Sequence, residues 1–131
     1  MIIDANIFIG ESLLRNSVSE DALQAMMEAN GLAKAVIRPL KPIDHDYDRA
    51  NRYVAMLQHK DPRFAAFGRV NPWEAEAPEQ VRRAVGEYGL KGIHLHPWEE
   101  NFAINAAVVH DVMDAIAELA VPVYISAGYP I

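Results

Sequence analysis

Five short apolar runs, Ile2 to Ile9, Ala33 to Arg38, Arg63 to Val70, Lys91 to His96 and Val121 to Ser126, recur about every thirty residues, and each can make one strand. The segments between them carry apolar residues three and four apart: Leu23, Met26 and Met27; Ala50, Tyr53, Val54 and Leu57; Val81, Ala84, Val85 and Tyr88; and Val109, Val112, Met113, Ile116 and Leu119. That spacing gives each segment an apolar stripe to bury and predicts four helices. Ser17 with Glu20 has the pattern of a capping box, and Asp44 and Asn105 stand as N-caps. Pro78 fits a first turn, and Gly31 and Gly89 stand where helices must end. No hairpin signal joins any pair of runs, so the strands are expected to be parallel and linked by right-handed crossovers. The fold class is therefore α/β. An open doubly wound sheet fits within 131 residues whereas a (β/α)8 barrel takes about 250, so length by itself favours the open sheet.

In either architecture ligands gather at the carboxyl ends of the strands. Those ends read Phe8-Ile9-Gly10, Arg38-Pro39-Leu40-Lys41-Pro42, Val70-Asn71-Pro72-Trp73, His94-Leu95-His96-Pro97-Trp98 and Ser126-Ala127-Gly128-Tyr129-Pro130, and they are rich in polar and aromatic side chains. The opposite turns, such as Asn30-Gly31 and Tyr88-Gly89, are plain, and this asymmetry points to a site at the carboxyl end. Eighteen acidic against twelve basic residues give a formal charge of -6, which opposes binding to nucleic acid or an anionic membrane surface. A small molecule is the expected ligand. The absence of cysteine excludes disulfides and thiolate zinc sites. No apolar run is long enough to span a bilayer and no basic leader precedes Asp4, so a cytoplasmic location is expected.

His94 and His96 are two apart on a predicted strand, so both rings face the same side, at a spacing that can serve one metal ion. Further ligands would have to come from Asn6, Asp44, His45, Asp46, Asn71, Glu99 or Glu100; otherwise one imidazole bonds a backbone carbonyl and the other lines a pocket. Asp44-His45-Asp46 precedes a helix, where carboxylates are favoured by the helix dipole without any ligand. His110, Asp114 and Glu118 lie opposite an apolar stripe and read as a solvated face. Arg38, at the end of its strand, suits a carboxylate or phosphate, or a salt bridge inside the fold. Ser126 lacks the Gly-x-Ser-x-Gly of a nucleophile elbow, and the Gly-rich nucleotide signatures are missing.

In order and spacing, IIDANIFIG, RVNPW, GLKGIHLHPWEENFAIN and VPVYISAGYP resemble the amidohydrolase-related family of TIM-barrel metal-dependent hydrolases and decarboxylases, over nearly the whole chain. The resemblance implies a single domain over residues 1–131, an incomplete TIM (β/α)8-type barrel with about five strands and four helices, against the preference from length. It places the family's first-strand His-x-His on Asn6 and Phe8, and its fifth-strand histidine on Ser126. Phenylalanine cannot bind a metal, and an amide or hydroxyl is a poor substitute for imidazole on a transition metal. No metal cofactor is therefore expected, a divalent ion such as zinc entering only if the family site survives in an altered form. The implied activity is hydrolysis or decarboxylation of a small carboxylate-bearing or cyclic substrate. His94 and His96 would be catalytic, since general base catalysis needs only a positioned imidazole, and Asn6, Arg38, Asn71 and Ser126 would meet the substrate. The alternative is a degenerate barrel that binds or assembles without chemistry. A partial barrel would leave two open edges and an uncovered inner layer of apolar side chains, so self-association or continuation into a longer chain is expected.

Overall fold

The computed structural model describes residues 1–127, and the last residues of the VPVYISAGYP segment, 128–131, lie outside them. The elements are β1 (Ile2–Ile9), α1 (Glu20–Ala29), β2 (Leu32–Pro39), α2 (Tyr47–Lys60), β3 (Phe64–Arg69), α3 (Ala77–Gly86), β4 (Gly92–Leu95), α4 (His110–Leu119) and β5 (Val123–Ile125), with a 3-10 turn (Ala107–Val109) leading into α4. All neighbouring strands pair in parallel, in the order β1-β2-β3-β4-β5. An open doubly wound sheet would reverse direction from a central strand, whereas sequential pairing is that of a barrel. The architecture is an incomplete α/β barrel, as the family resemblance implied, and the preference drawn from length alone is overturned. Among the described residues β1 and β5 each keep one edge without a strand partner.

Local chemistry sets the helix limits, with corrections to the expected caps. The Ser19 side chain, not Ser17, caps α1 by accepting from Ala22 N–H at 3.2 Å, while Ser17 Oγ accepts from Ser12 N–H in the preceding loop. Asp46, not Asp44, caps α2 by accepting from Arg49 N–H at 2.8 Å. Asn105 caps nothing, because the 3-10 turn intervenes and α4 begins at His110. Gly31 and Gly89 adopt φ of 64° and 71° directly after α1 and shortly after α3, conformations that a side chain would strain. His110, Asp114 and Glu118 are exposed, as expected of a solvated face.

Alternation along the strands divides the molecule into two faces. Ile9, Ile37, Ala66, Ile93 and Leu95 point to the convex side and are fully buried, in one core with Leu23, Met27, Val54, Leu57, Val81 and Ile116 of the helices. Each large aliphatic side chain so buried contributes on the order of 1.5–3 kcal/mol. The concave side at the strand ends is different: Asn6, Phe8, Arg38, Arg69, His94, His96 and Tyr124 gather there, joined to one another by hydrogen bonds or ring contacts or, for Arg69, through Glu99. The apolar inner layer expected of a partial barrel is thus polar and aromatic at this end. A register shift between Asp4 and Ile7, with Asn6 N–H donating to Asp4 Oδ1 at 2.8 Å, bends β1 where Asn6 joins this cluster. Among the described residues no helix is long and apolar enough to cross a membrane.

Candidate functional site

Arg38 ends up fully buried at the carboxyl end of β2. Its Nη2 donates to Asn6 Oδ1 and its Nη1 to the Ala5 carbonyl at 3.2 Å. The guanidinium lies 3.6 Å from the Tyr124 ring centroid and 4.8 Å from that of Phe8, and the Tyr124 hydroxyl also donates to Asn6 Oδ1, at 3.2 Å. Among the described residues it pairs with no carboxylate, and its buried Nε has no hydrogen-bond partner. Of the two roles open to Arg38, a salt bridge inside the fold is therefore not what forms. A ligand carboxylate would reach this cation only if the half-buried Tyr124 or Phe8 ring moved aside.

The two histidines lie with ring centroids 5.5 Å apart, and Phe8 contacts both. His94 Nε2 is 2.9 Å from Ser126 Oγ, while among the described residues its buried Nδ1 has no partner. His96 Nδ1 accepts from Glu99 N–H at 3.3 Å, and its Nε2 lies 3.2 Å from Arg15 Nη2. Among the described residues neither ring bonds a backbone carbonyl, contrary to the reading that one would. Arg15 arrives from the loop after β1, whose base is closed by reciprocal backbone bonds of 2.9 Å between Gly10 and Val18. It also donates to Glu99 Oε1 at 2.6 Å.

Glu99 links this rim to a buried network. Arg69, fully buried at the end of β3, donates to Glu99 Oε2 and to Glu100 Oε1, the latter at 2.7 Å. Arg69 Nε donates to the same Glu100 Oε1 at 3.2 Å, the Tyr47 hydroxyl adds a third donor to it at 3.0 Å, and Lys41 Nζ caps the Glu99 carbonyl at 2.6 Å. Burial raises the Glu99 carboxyl, but hydrogen bonds from Arg69 and Arg15 outweigh it and hold the pKa below its ordinary value. For Glu100 burial prevails over Arg69 and the pKa is raised.

Burial, with Arg69, Arg38, His96 and Arg15 behind it, pushes the His94 ring down to about 2. Burial opposed by Glu99 and aided by Arg69 and Arg15 leaves His96 at about 4. Both rings are neutral at pH 7. In the unfolded chain they titrate near their ordinary value of ~6.5, so below that pH the unfolded state binds more protons and stability falls. The loss begins near pH 6.5 and runs down to about 4 for His96 and about 2 for His94, with a slope of up to ~1.4 kcal/mol per pH unit for each ring. Urea unfolding at pH 7 and pH 5 is expected to show a smaller drop in stability for His94→Gln than for the natural chain; equal drops would mean that the folded His94 ring takes a proton.

The structure thus brings His94, His96, Asn6, Arg38 and Ser126 together and leaves Asn71 out. The Asn71 carboxamide accepts from Trp73 N–H at 3.1 Å and closes its own turn. Asp44 bonds Arg49, and His45 and Asp46 stay at the start of α2. Arg15, Arg69 and Tyr124 were not singled out in the sequence. Arg69 and Tyr124 had a signal: each interrupts an apolar strand on the side that carries the other candidates. Arg15 had none, since a loop's reach is not written in periodicity.

A family model described as Amidohydrolase matches residues 12–131. The chain belongs to the amidohydrolase family. No curated protein matches it in sequence. Among solved structures it is similar to 5-carboxyvanillate decarboxylase from Novosphingobium aromaticivorans with bound manganese, with TM-score 0.77 and 21% identity over 95% of this chain and 50% of that one. It is also similar to 5-carboxyvanillate decarboxylase from Sphingomonas paucimobilis, with TM-score 0.75 and 17% identity over 95% of this chain and 51% of that one. A probable 2-pyrone-4,6-dicarboxylic acid hydrolase from Acinetobacter baumannii, with citric acid bound, gives TM-score 0.61 and 14% identity over 96% of this chain and 49% of that one. The chain spans about half the length of these proteins, and the likeness is one of fold. The three side chains on which the family resemblance places metal-binding histidines are otherwise engaged or have no donor atom. Asn6 Oδ1 already accepts two hydrogen bonds, Phe8 has no donor atom, and Ser126 Oγ is engaged with His94. No group of three or more His, Asp or Glu among the described residues is placed to hold a metal ion.

Proposed function

We propose that this chain carries the ligand-recognising part of an amidohydrolase-family site that hydrolyses or decarboxylates a small carboxylate-bearing or cyclic substrate without a resident metal. The observation that carries the reading is the placement of Arg15: its half-exposed guanidinium stands against His96 at the carboxyl ends of the strands, with the unpaired charge of Arg38 behind it. Positive charge held beside neutral imidazoles favours an anionic ligand, and Arg15, with Nε bonded to Glu99 and Nη2 against His96, keeps its Nη1 donors to offer a carboxylate. A cleft of about 580 Å³ lined by Trp98, Phe102, Ile104 and Ser126 lies beside the cluster and meets it through Ser126, which bonds His94. His96 is the general base at the rim in the tautomer that keeps its proton on Nδ1, giving up the bond from Glu99 N–H and leaving the Nε2 lone pair beside Arg15. A carboxylate on Arg15 offsets one of the cations that hold this ring's pKa down and moves it toward the working range. His94 with Ser126 and the exposed Asn6 carboxamide supply further hydrogen bonds to substrate oxygens. The names of the neighbours, two acting on an aromatic acid and one on a dicarboxylic acid, agree with this class.

A second reading, a binding module without chemistry, is favoured by one observation: with pKa values of about 2 and about 4, both rings are weak bases until a ligand arrives. A screen of carboxylate-bearing aryl esters, lactones and aromatic acids, each with and without added manganese, separates the two. Turnover without added metal is expected, with Arg15→Ala lowering kcat/KM roughly 10–100-fold for a carboxylate-bearing ester and leaving its neutral analogue unaffected. Equal losses on both esters would remove Arg15 as the carboxylate contact. Binding of the acids that depends on Arg15, without turnover of any compound, would establish the binding module.

A further inference from the structure

We infer that the positions at which the amidohydrolase family holds its metal have been rebuilt in this chain as a cage for the Arg38 guanidinium, which excludes a divalent ion and supplies the site's fixed positive charge in its place. The inference rests on the metal-independent reading above and gives it a mechanism. Two of the three substituting residues touch the guanidinium directly: Asn6 accepts from Nη2, and the Phe8 ring faces it at 4.8 Å. The far side is closed by Tyr124, whose ring lies at 3.6 Å and whose hydroxyl donates to the same Asn6 oxygen. Two ring faces and an amide oxygen thus converge on one cation, and both kinds of group stabilise a guanidinium.

Each contact would be unsuited to a metal site and suits an arginine. Histidine at position 6 or 8 would bring a ring that can become imidazolium beside a charge that is permanent. Asparagine keeps an acceptor and phenylalanine keeps the ring, while neither gathers a second cation. The guanidinium cannot act as a Lewis acid, since it has no vacant site for an oxygen; it offers hydrogen bonds and a field. Arg38 is fully buried and lacks a carboxylate partner, so its charge is not cancelled inside the described fold and projects toward His94 and the rim.

The test uses the full chain with zinc alone and with benzoate alone. After incubation with zinc and desalting, the natural chain is expected to retain little metal, whereas one equivalent per chain would overturn the inference. Asn6→His/Phe8→His, with Arg38 in place, is expected to bind zinc at least tenfold more weakly than Asn6→His/Phe8→His/Arg38→Met. Equal zinc affinity in the two variants, strong or weak, would show that Arg38 does not exclude the ion. Benzoate should bind Arg38→Met several-fold more weakly than the natural chain, with Arg38→Lys between them; unchanged affinity in Arg38→Met would remove the guanidinium as the source of the field. Circular dichroism on each variant checks that it is folded, and the zinc content of the natural chain needs no variant. Absence of turnover would sink the catalytic reading and leave these metal and benzoate readouts standing.

Discussion

Arg69→Leu is expected to lower the thermal midpoint by about 10–20 °C, the equivalent of roughly 3–5 kcal/mol in a chain of this size. Arg69 is fully buried, and the side chains of Glu99 and Glu100 that it joins are 1% and 0% exposed. Deleting one member of such a group costs more than the group contributes as a whole, because the partners left behind remain out of water with their charge unmatched. Glu99 would still have Arg15, but Glu100 would keep only Tyr47 as a hydrogen-bond donor, buried without the guanidinium against it. Arg69→Leu/Glu100→Gln is therefore expected to recover part of the loss. Differential scanning calorimetry of both variants decides the matter, and a midpoint for Arg69→Leu within about 2 °C of the natural chain would mean that the network contributes nothing as a unit. The consequence reaches the site, since Glu99 N–H holds His96 Nδ1 and the Glu99 carboxylate holds Arg15.

Gly92→Ala is expected to be the second severe change, at about 3 kcal/mol in urea unfolding. A Cβ at position 92 would come 2.6 Å from Phe67 Cε2 and 2.6 Å from the Pro122 carbonyl oxygen. The ring can turn, but the carbonyl cannot retreat freely, because it accepts from Ile93 N–H at 3.1 Å just before β5. Relief would separate β5 from β4, and with it Ser126 from His94. Gly68→Ala is the control: its nearest obstacle is Leu90 Cδ1 at 3.0 Å, the end of a flexible side chain. A Gly92→Ala variant as stable as Gly68→Ala would show that β4 and β5 have slack at this point.

Much of the fold was legible because it is written in short-range periodicity. The five strands and four helices lie close to where the apolar spacing put them, and Gly31, Gly89 and Pro78 stand at the ends and first turn they were read for. The caps were less legible. Ser17, Ser19, Asp44 and Asp46 are chemically interchangeable as caps, and which one bonds the helix depends on where the preceding loop delivers it. Open sheet and barrel were not distinguishable by local pattern, since both require the same alternation.

The same division runs through the site. Strand ends are marked by composition, so His94, His96, Arg38, Asn6 and Ser126 could be picked from the sequence and do converge. Asn71 shared their signature and is spent on its own turn, because an Asn beside a proline serves loop geometry as readily as a ligand.

By itself the sequence determined the α/β class, the parallel strands and the end of the strands where polar chemistry collects, because all of these depend on residue type and near-neighbour spacing. Only the tertiary structure decided the sequential strand order, the closing of Asn6, Phe8 and Tyr124 around Arg38, and the union of Arg15, Arg69, Glu99 and Glu100. These are contacts between residues thirty to more than a hundred positions apart, and their energies depend on burial and geometry that no local pattern contains.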